Sequence, residues 1–134
     1  MVCIQCSAKT QVINSRPQKR RNQTWRRRQC SACHTIFSTI ETTDYSAVWA
    51  VKQASGAIMA FNRDKLLLSI YQSCQHRPNA LIDASDLTDT SIYKLRTVAS
   101  NGQLSAKQIA RTVQVALNRF DKVASVHYQA FHKN

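Results

Sequence analysis

Hydrophobic residues divide the chain at about residue 43. Before that point the sequence is polar, basic and short of aliphatic side chains; beyond Thr42-Thr43-Asp44 it becomes aliphatic with helical periodicity. Ala47 to Val51 reads as a short strand, Ser55-Gly56 as a turn and Ala57 to Phe61 as a second short strand, which together predict a hairpin. Asn62 has the acceptor side chain of an N-cap. Leu67, Ile70, Tyr71 and Cys74 then recur on one face of a helix that should stop before Pro78. A second helix is expected from about Ser85 to Ala99, closing at Asn101-Gly102. Ser105-Ala-Lys-Gln108 is a capping-box pattern opening a third helix, with Ile109, Val113, Ala116, Leu117 and Phe120 facing inward. Lys122 to Phe131 suits a final short helix. The fold class predicted is α+β: a small N-terminal domain over residues 1–43, then a mostly helical domain over residues 44–134 with a β-hairpin and its own core.

The first domain has too few apolar residues to fold on a core, so another force must hold it. Cys3-x-x-Cys6 and Cys30-x-x-Cys33 have identical spacing. Each pair places two thiolates on one side of a tight turn, and two such turns complete a tetrahedral S₄ site for one structural Zn²⁺. The expected architecture is a zinc ribbon. Cys74, on an apolar helix face, reads as a small buried hydrophobe rather than a fifth ligand. His34 is left out because four thiolates close the site, and a closed site offers no open position for zinc catalysis. The odd total of five cysteines, and an N-terminus that begins with cysteines and polar residues rather than an apolar leader, predict a reducing cytoplasm over a secreted disulfide scaffold.

Charge adds a partner to this picture. Lysine and arginine number 19 against 7 acids. Residues 1–43 alone carry Lys9, Arg16, Lys19, Arg20, Arg21, Arg26, Arg27 and Arg28 against the single acid Glu41. Four thiolates and Zn²⁺ together offset about two of these positive charges. The remaining density suits a polyanion, and double-stranded DNA is the expected partner. With Trp25 to Gln29 extended, Arg26 and Arg28 point one way while Trp25 and Arg27 point the other. The Arg26–Arg28 pair would bind successive phosphates or read guanine edges, and Arg16, Lys19, Arg20 and Arg21 on a preceding loop would extend the contact. The competing reading is that these arginines only neutralise the zinc–thiolate cluster, for which one or two cations suffice. No apolar run approaches the roughly 18 residues needed to cross a bilayer, so no membrane partner is expected.

Specific strings carry a family resemblance. Cys3-Ile-Gln-Cys6, Val12-Ile13-Asn14-Ser15-Arg16, Arg26-Arg27-Arg28-Gln29-Cys30-Ser-Ala-Cys33 and Phe37-Ser38-Thr39-Ile40-Glu41 resemble the N-terminal zinc ribbon of the NrdR family, bacterial repressors of ribonucleotide reductase genes. Val51-Lys52, Ser55-Gly56, Phe61-Asn62-x-x-Lys65-Leu66, Cys74, Arg77-Pro78 and Phe120-Asp121-Lys122-Val123-Ala124 are similar to the ATP-cone that follows in that family. The resemblance implies a cytoplasmic, nucleoid-associated repressor whose cone binds ATP or dATP. It further implies a homo-oligomer, switched by the bound nucleotide, that presents several ribbons to paired DNA boxes. Nucleotide contacts are thereby assigned to Val51, Lys52, Gly56, Phe61 and Lys65, with both lysines meeting phosphates and Gly56 allowing the hairpin turn. Gln53 stands where the family carries Arg, and Met59-Ala60 stands where it carries Glu-Pro. These departures motivate an alternative, a nucleotide-insensitive ribbon protein that binds DNA or RNA constitutively.

An enzyme is not expected. The sequence has no P-loop, no carboxylate cluster for Mg²⁺ and no His-plus-acid constellation in a shared motif. Asp83, Asp86 and Asp89 recur every third residue, but such acids are expected to crowd a helix start, where they favour the macrodipole.

Overall fold

Strand-forming residues dominate the first unit, Met1–Thr43, of the computed structural model, which describes residues 1–132. β1 (Thr10–Gln18), β2 (Gln23–Cys30) and β3 (Ile36–Thr42) form an antiparallel sheet in the order β1-β2-β3. The β1–β2 connection is a 3-10 turn over Lys19–Arg21 closed by Asn22 at φ 51°, a left-handed position that Asn tolerates better than most residues. A register shift between Val12 and Asn14 bulges β1 at Ile13. Among the described residues of this unit only Cys3 and Cys30 are buried, so the sulfur cluster occupies the place of a core.

The second unit, Asp44–Asn134, carries the apolar core. Ala47 and Val48 do not begin a strand as their β-branched neighbourhood suggests. The Asp44 carboxylate accepts the Ser46 N–H at 3.1 Å and caps a one-turn helix, α1 (Tyr45–Val48). The hairpin strands are shorter than expected, β4 (Ala50–Lys52) and β5 (Ile58–Ala60). A third strand, β6 (Gln103–Ser105), pairs parallel to β4, so the hairpin is two-thirds of a mixed sheet ordered β5-β4-β6. Three residues are too few to show a strand period, which is why β6 has no signal in the pattern.

Four longer helices complete the unit: α2 (Arg63–Cys74), α3 (Ala80–Val98), α4 (Ala106–Phe120) and α5 (Lys122–Phe131). Asn62 caps α2 through its side chain, and Ser105 with Gln108 forms both bonds of a capping box on α4. α3 begins five residues before Ser85, because the chain turns helical immediately after Pro78-Asn79. Asp83 therefore lies in its first turn while Asp86 and Asp89 sit further along, and Asp89 is engaged by Arg63 at 2.9 Å. α2 packs on α3 and α5, and α4 packs on the same two, which closes a four-helix arrangement. Ile70, Leu95, Val113 and Leu117 are fully buried at its centre, each worth roughly 1.5–3 kcal/mol of apolar burial. On α2 the innermost positions are Leu66, Ile70, Ser73 and Cys74, with Leu67 and Tyr71 only partly covered. Phe120 is not in the core: its ring is exposed and lies under the Arg77 guanidinium, 4.4 Å from centroid to Cζ.

Candidate metal centre, arginine sheet and helix-bundle cavity

The two Cys-x-x-Cys turns have the same local build. Each ends on a left-handed residue, Ser7 after Cys6 and His34 after Cys33, both at φ 62°. In each, backbone N–H groups point at a sulfur: Gln5 donates to Cys3 Sγ at 3.4 Å, while Ala32 and Cys33 donate to Cys30 Sγ at 3.3 and 3.4 Å. The four sulfurs lie within 4.8 Å of one another. Cys3 and Cys33 are 3.7 Å apart, and Cys6 and Cys30 are 3.4 Å apart. A tetrahedron with Zn–S bonds of about 2.3 Å has edges of about 3.8 Å, so the set matches a structural Zn²⁺ in number, chemistry and size. His34, exposed and outside this set, offers no fifth ligand.

Electrostatics around the sulfurs favour a bound cation. Hydrogen bonds from the Thr35 side chain and backbone pull the Cys33 thiol down to about 6. Cys30 is lowered by the Cys33 and Ala32 N–H groups. At Cys6 an N–H bond from Ala8 also favours the thiolate, but the neighbouring Cys30 and Cys33 sulfurs outweigh it and push the group up to about 11. Thiolates this close repel unless a cation neutralises them. Cys74, buried in the helical unit, is raised chiefly by loss of water and stands apart from the cluster.

The arginines fall on both faces of the sheet. Arg26 and Arg28 share a face, as strand alternation requires, but both have partners there. Arg26 Nη1 pairs with Glu41 Oε2 at 2.6 Å, and Arg28 donates to Thr39 Oγ1 at 3.3 Å and Thr10 Oγ1 at 3.5 Å. Trp25 and Arg27 occupy the other face. Arg16 lies in β1 rather than a loop, directly across from Trp25, with its Cζ 6.0 Å from the ring centroid. Lys19, Arg20 and Arg21 make the exposed 3-10 turn.

In the helical unit a cavity of about 380 Å³ opens between the sheet and the ends of α2, α4 and α5. Val51, Phe61 and Lys65 line it. Lys52 does not: on β4 it alternates with Val51 and is exposed. Gly56 also lies away from it, at the hairpin tip with φ +89° and open space around its Cα. Residues that family strings did not supply line the cavity too, notably Ser69, Tyr128 and His132. His132 Nδ1 lies 3.0 Å from the Tyr128 carbonyl, which only accepts, so Nδ1 carries the proton. In the neutral ring Nε2 therefore accepts the Ser69 hydroxyl at 2.9 Å. The His132 ring stacks on Tyr128 with centroids 4.0 Å apart, and burial pushes the Tyr128 phenol up to about 12. Ser69 is one turn beyond Lys65, so helical spacing from Lys65 is the signal that finds it.

These features define an α+β protein with a zinc-ribbon first unit. Residues 1–41 match the family described as "Transcriptional repressor NrdR-like, N-terminal domain". Over 135 aligned positions the chain is 32% identical to proteins named Transcriptional repressor NrdR from Streptococcus equi subsp. zooepidemicus and from Streptococcus uberis; each alignment covers 100% of this chain and 81% of the relative. A protein of the same name from Streptococcus equi subsp. equi matches to the same extent. The chain belongs to the NrdR family of transcriptional repressors.

Proposed function

We propose that the protein is a zinc-dependent, nucleotide-sensing DNA-binding repressor of ribonucleotide reductase genes, acting in the bacterial cytoplasm at the nucleoid. Residues 1–43 serve as the DNA-binding domain and residues 44–134 as a nucleotide-binding and oligomerisation domain. The observation that carries this reading is the convergence of Cys3, Cys6, Cys30 and Cys33 at the end of a sheet bearing Arg16, Arg26, Arg27 and Arg28. Zn²⁺ held there supplies structural closure. The chain's own contribution is a rigid frame from which Arg16, Lys19, Arg20, Arg21, Arg26, Arg27 and Arg28 meet a duplex. One ribbon touches few base pairs, so useful affinity needs several ribbons at once, hence a homo-oligomer. The cavity lined by Val51, Phe61 and Lys65 takes the adenine nucleotide, with Ser69 and His132 at its polar wall and Lys65 at the phosphates. ATP and dATP then act by linkage, each favouring the oligomer that it binds better.

A second reading has a specific observation behind it. Among the described residues Lys65 is the one lysine or arginine on the cavity wall, and Lys52 lies off it. A triphosphate facing one ammonium is weakly held, which favours a ribbon protein that ignores nucleotides and binds DNA or RNA constitutively. Calorimetry of the zinc-loaded chain with ATP and dATP, beside fluorescence anisotropy on duplex DNA from the upstream region of ribonucleotide reductase genes, separates the two. The first reading expects nucleotide binding and a change of mass on light scattering. If about six phosphates are neutralised per ribbon pair, log K should fall with log salt at a slope near −5. A flat salt response removes DNA from the function altogether, and DNA binding without nucleotide binding leaves the second reading.

A further inference from the structure

The two faces of the arginine sheet differ in a way that sorts their roles. Along β3 the exposure alternates: Ile36, Ser38 and Ile40 are exposed, whereas Phe37 and Thr39 are half-buried. On β2 Arg27 is exposed and Arg26 and Arg28 are half-buried, but Trp25 and Gln29, on the face of Arg27, are half-buried too, so there the faces differ by the partners of their arginines. On the Arg26–Arg28 face, Glu41, Thr39 and Thr10 fix both guanidinium groups. On the open face, Arg27 has no anion or hydrogen-bond partner among the described residues, and Arg16 has only the Trp25 ring. Register assembles that face in rows, Arg16–Trp25–Ile40 and Asn14–Arg27–Ser38. Ile40 is 57% exposed and Ile36 46%.

We propose that this open face, centred on Trp25, Arg27 and Arg16, lies against base edges and reads sequence, while Arg26 and Arg28 on the opposite face brace the sheet and contribute charge only. The proposal rests on the DNA-binding reading above and names the surface that performs it. A guanidinium free of intramolecular acids is available for the bidentate approach to guanine O6 and N7, and exposed isoleucines suit the thymine methyl. The cation–π contact with Trp25, at 6.0 Å, biases the Arg16 fork toward this face and so lowers the cost of ordering it on contact. Side chains two apart on β2 are spaced about 6.7 Å. That spacing equals about two base-pair rises of 3.4 Å, so Trp25 and Arg27 can meet alternate pairs in one groove. Arg26 cannot do the same without releasing Glu41.

The test uses the zinc-loaded full chain. A random duplex pool is selected on it with ATP, with dATP and with neither, and the enriched duplex is compared with its scrambled version by anisotropy. R27Q and R16Q should each cut the preference for the selected duplex at least tenfold. R27K, which keeps the charge but not the fork, should lose preference while still binding the scrambled duplex. R26Q and R28Q should weaken both duplexes by the same factor and lower the salt slope by about one. Zinc content close to one per chain confirms that each variant is folded at the ribbon. Preference retained in R27Q and R16Q, or lost selectively in R26Q or R28Q, overturns the assignment of faces while DNA binding stands. If no duplex is enriched over the chelated control, the DNA-binding reading itself falls, and this proposal with it.

Discussion

Gly102 shows how much one missing side chain carries. It sits at φ +72°, and a Cβ there would lie 2.6 Å from the Val48 carbonyl oxygen, backbone that cannot swing aside. Its own carbonyl accepts the Ala50 N–H at 2.8 Å, tying the approach of β6 to the start of β4. Gly102→Ala therefore combines a left-handed penalty with a backbone collision. The expected cost is about 2–4 kcal/mol, read as a lower urea midpoint at unchanged slope for the zinc-loaded protein. At the same scale, the four-cysteine cluster was legible from spacing because a tight turn is a local geometry. Glu41 as the anchor of Arg26 was not, because it depends on how β3 registers against β2. The same limit hid His132 and Tyr128, which reach the cavity from the far end of the chain.

Helix junctions bear a second load. Asp121 ends α4 and caps α5: Oδ1 accepts the Val123 and Ala124 N–H groups at 2.8 and 3.2 Å. Its Oδ2 meets His76 at 3.0 Å and Arg77 at 2.8 Å, and Arg77 also holds Asp83 at 2.7 Å. The His76 hydrogen bond, followed by that of Arg77, keeps the Asp121 carboxyl well below the usual carboxylate range. Protons thus bind the unfolded chain more readily, so this stabilisation is full above about pH 4 and is lost as pH falls below it. Asp121→Asn keeps the cap oxygen and should flatten that acid limb in a series of denaturation curves. Asp121→Ala loses cap and charge together and should cost about 2–3 kcal/mol at neutral pH. The starts of α2 and α4 are legible in the sequence because each cap is written within four residues of a long periodic helix, whereas α1, also capped by a side chain, is one turn long and too short to show a helical period. The start of α3 carries no such mark, because Asn79 makes no side-chain cap bond.

The whole molecule depends on two unlike sources of order. The apolar cluster lies entirely in the second unit, whereas the first has sulfur at its centre. Removing the metal with a chelator under reducing conditions should therefore melt residues 1–43 while the helices persist. Amide exchange should lose protection across β1 to β3 alone, and the helical circular dichroism should hold. A uniform loss of protection would show that the two cores are not independent. The order of strands in the other sheet has its own outcome. β4 takes one neighbour from the adjoining hairpin and the other from residues that follow α2 and α3. As the chain leaves the ribosome, β4 must wait with one flank bare until Gln103–Ser105 emerges. During that interval its open backbone can recruit a sister chain. Nascent chains crowded on one messenger are most vulnerable to tangling in this window, and β6 ends it.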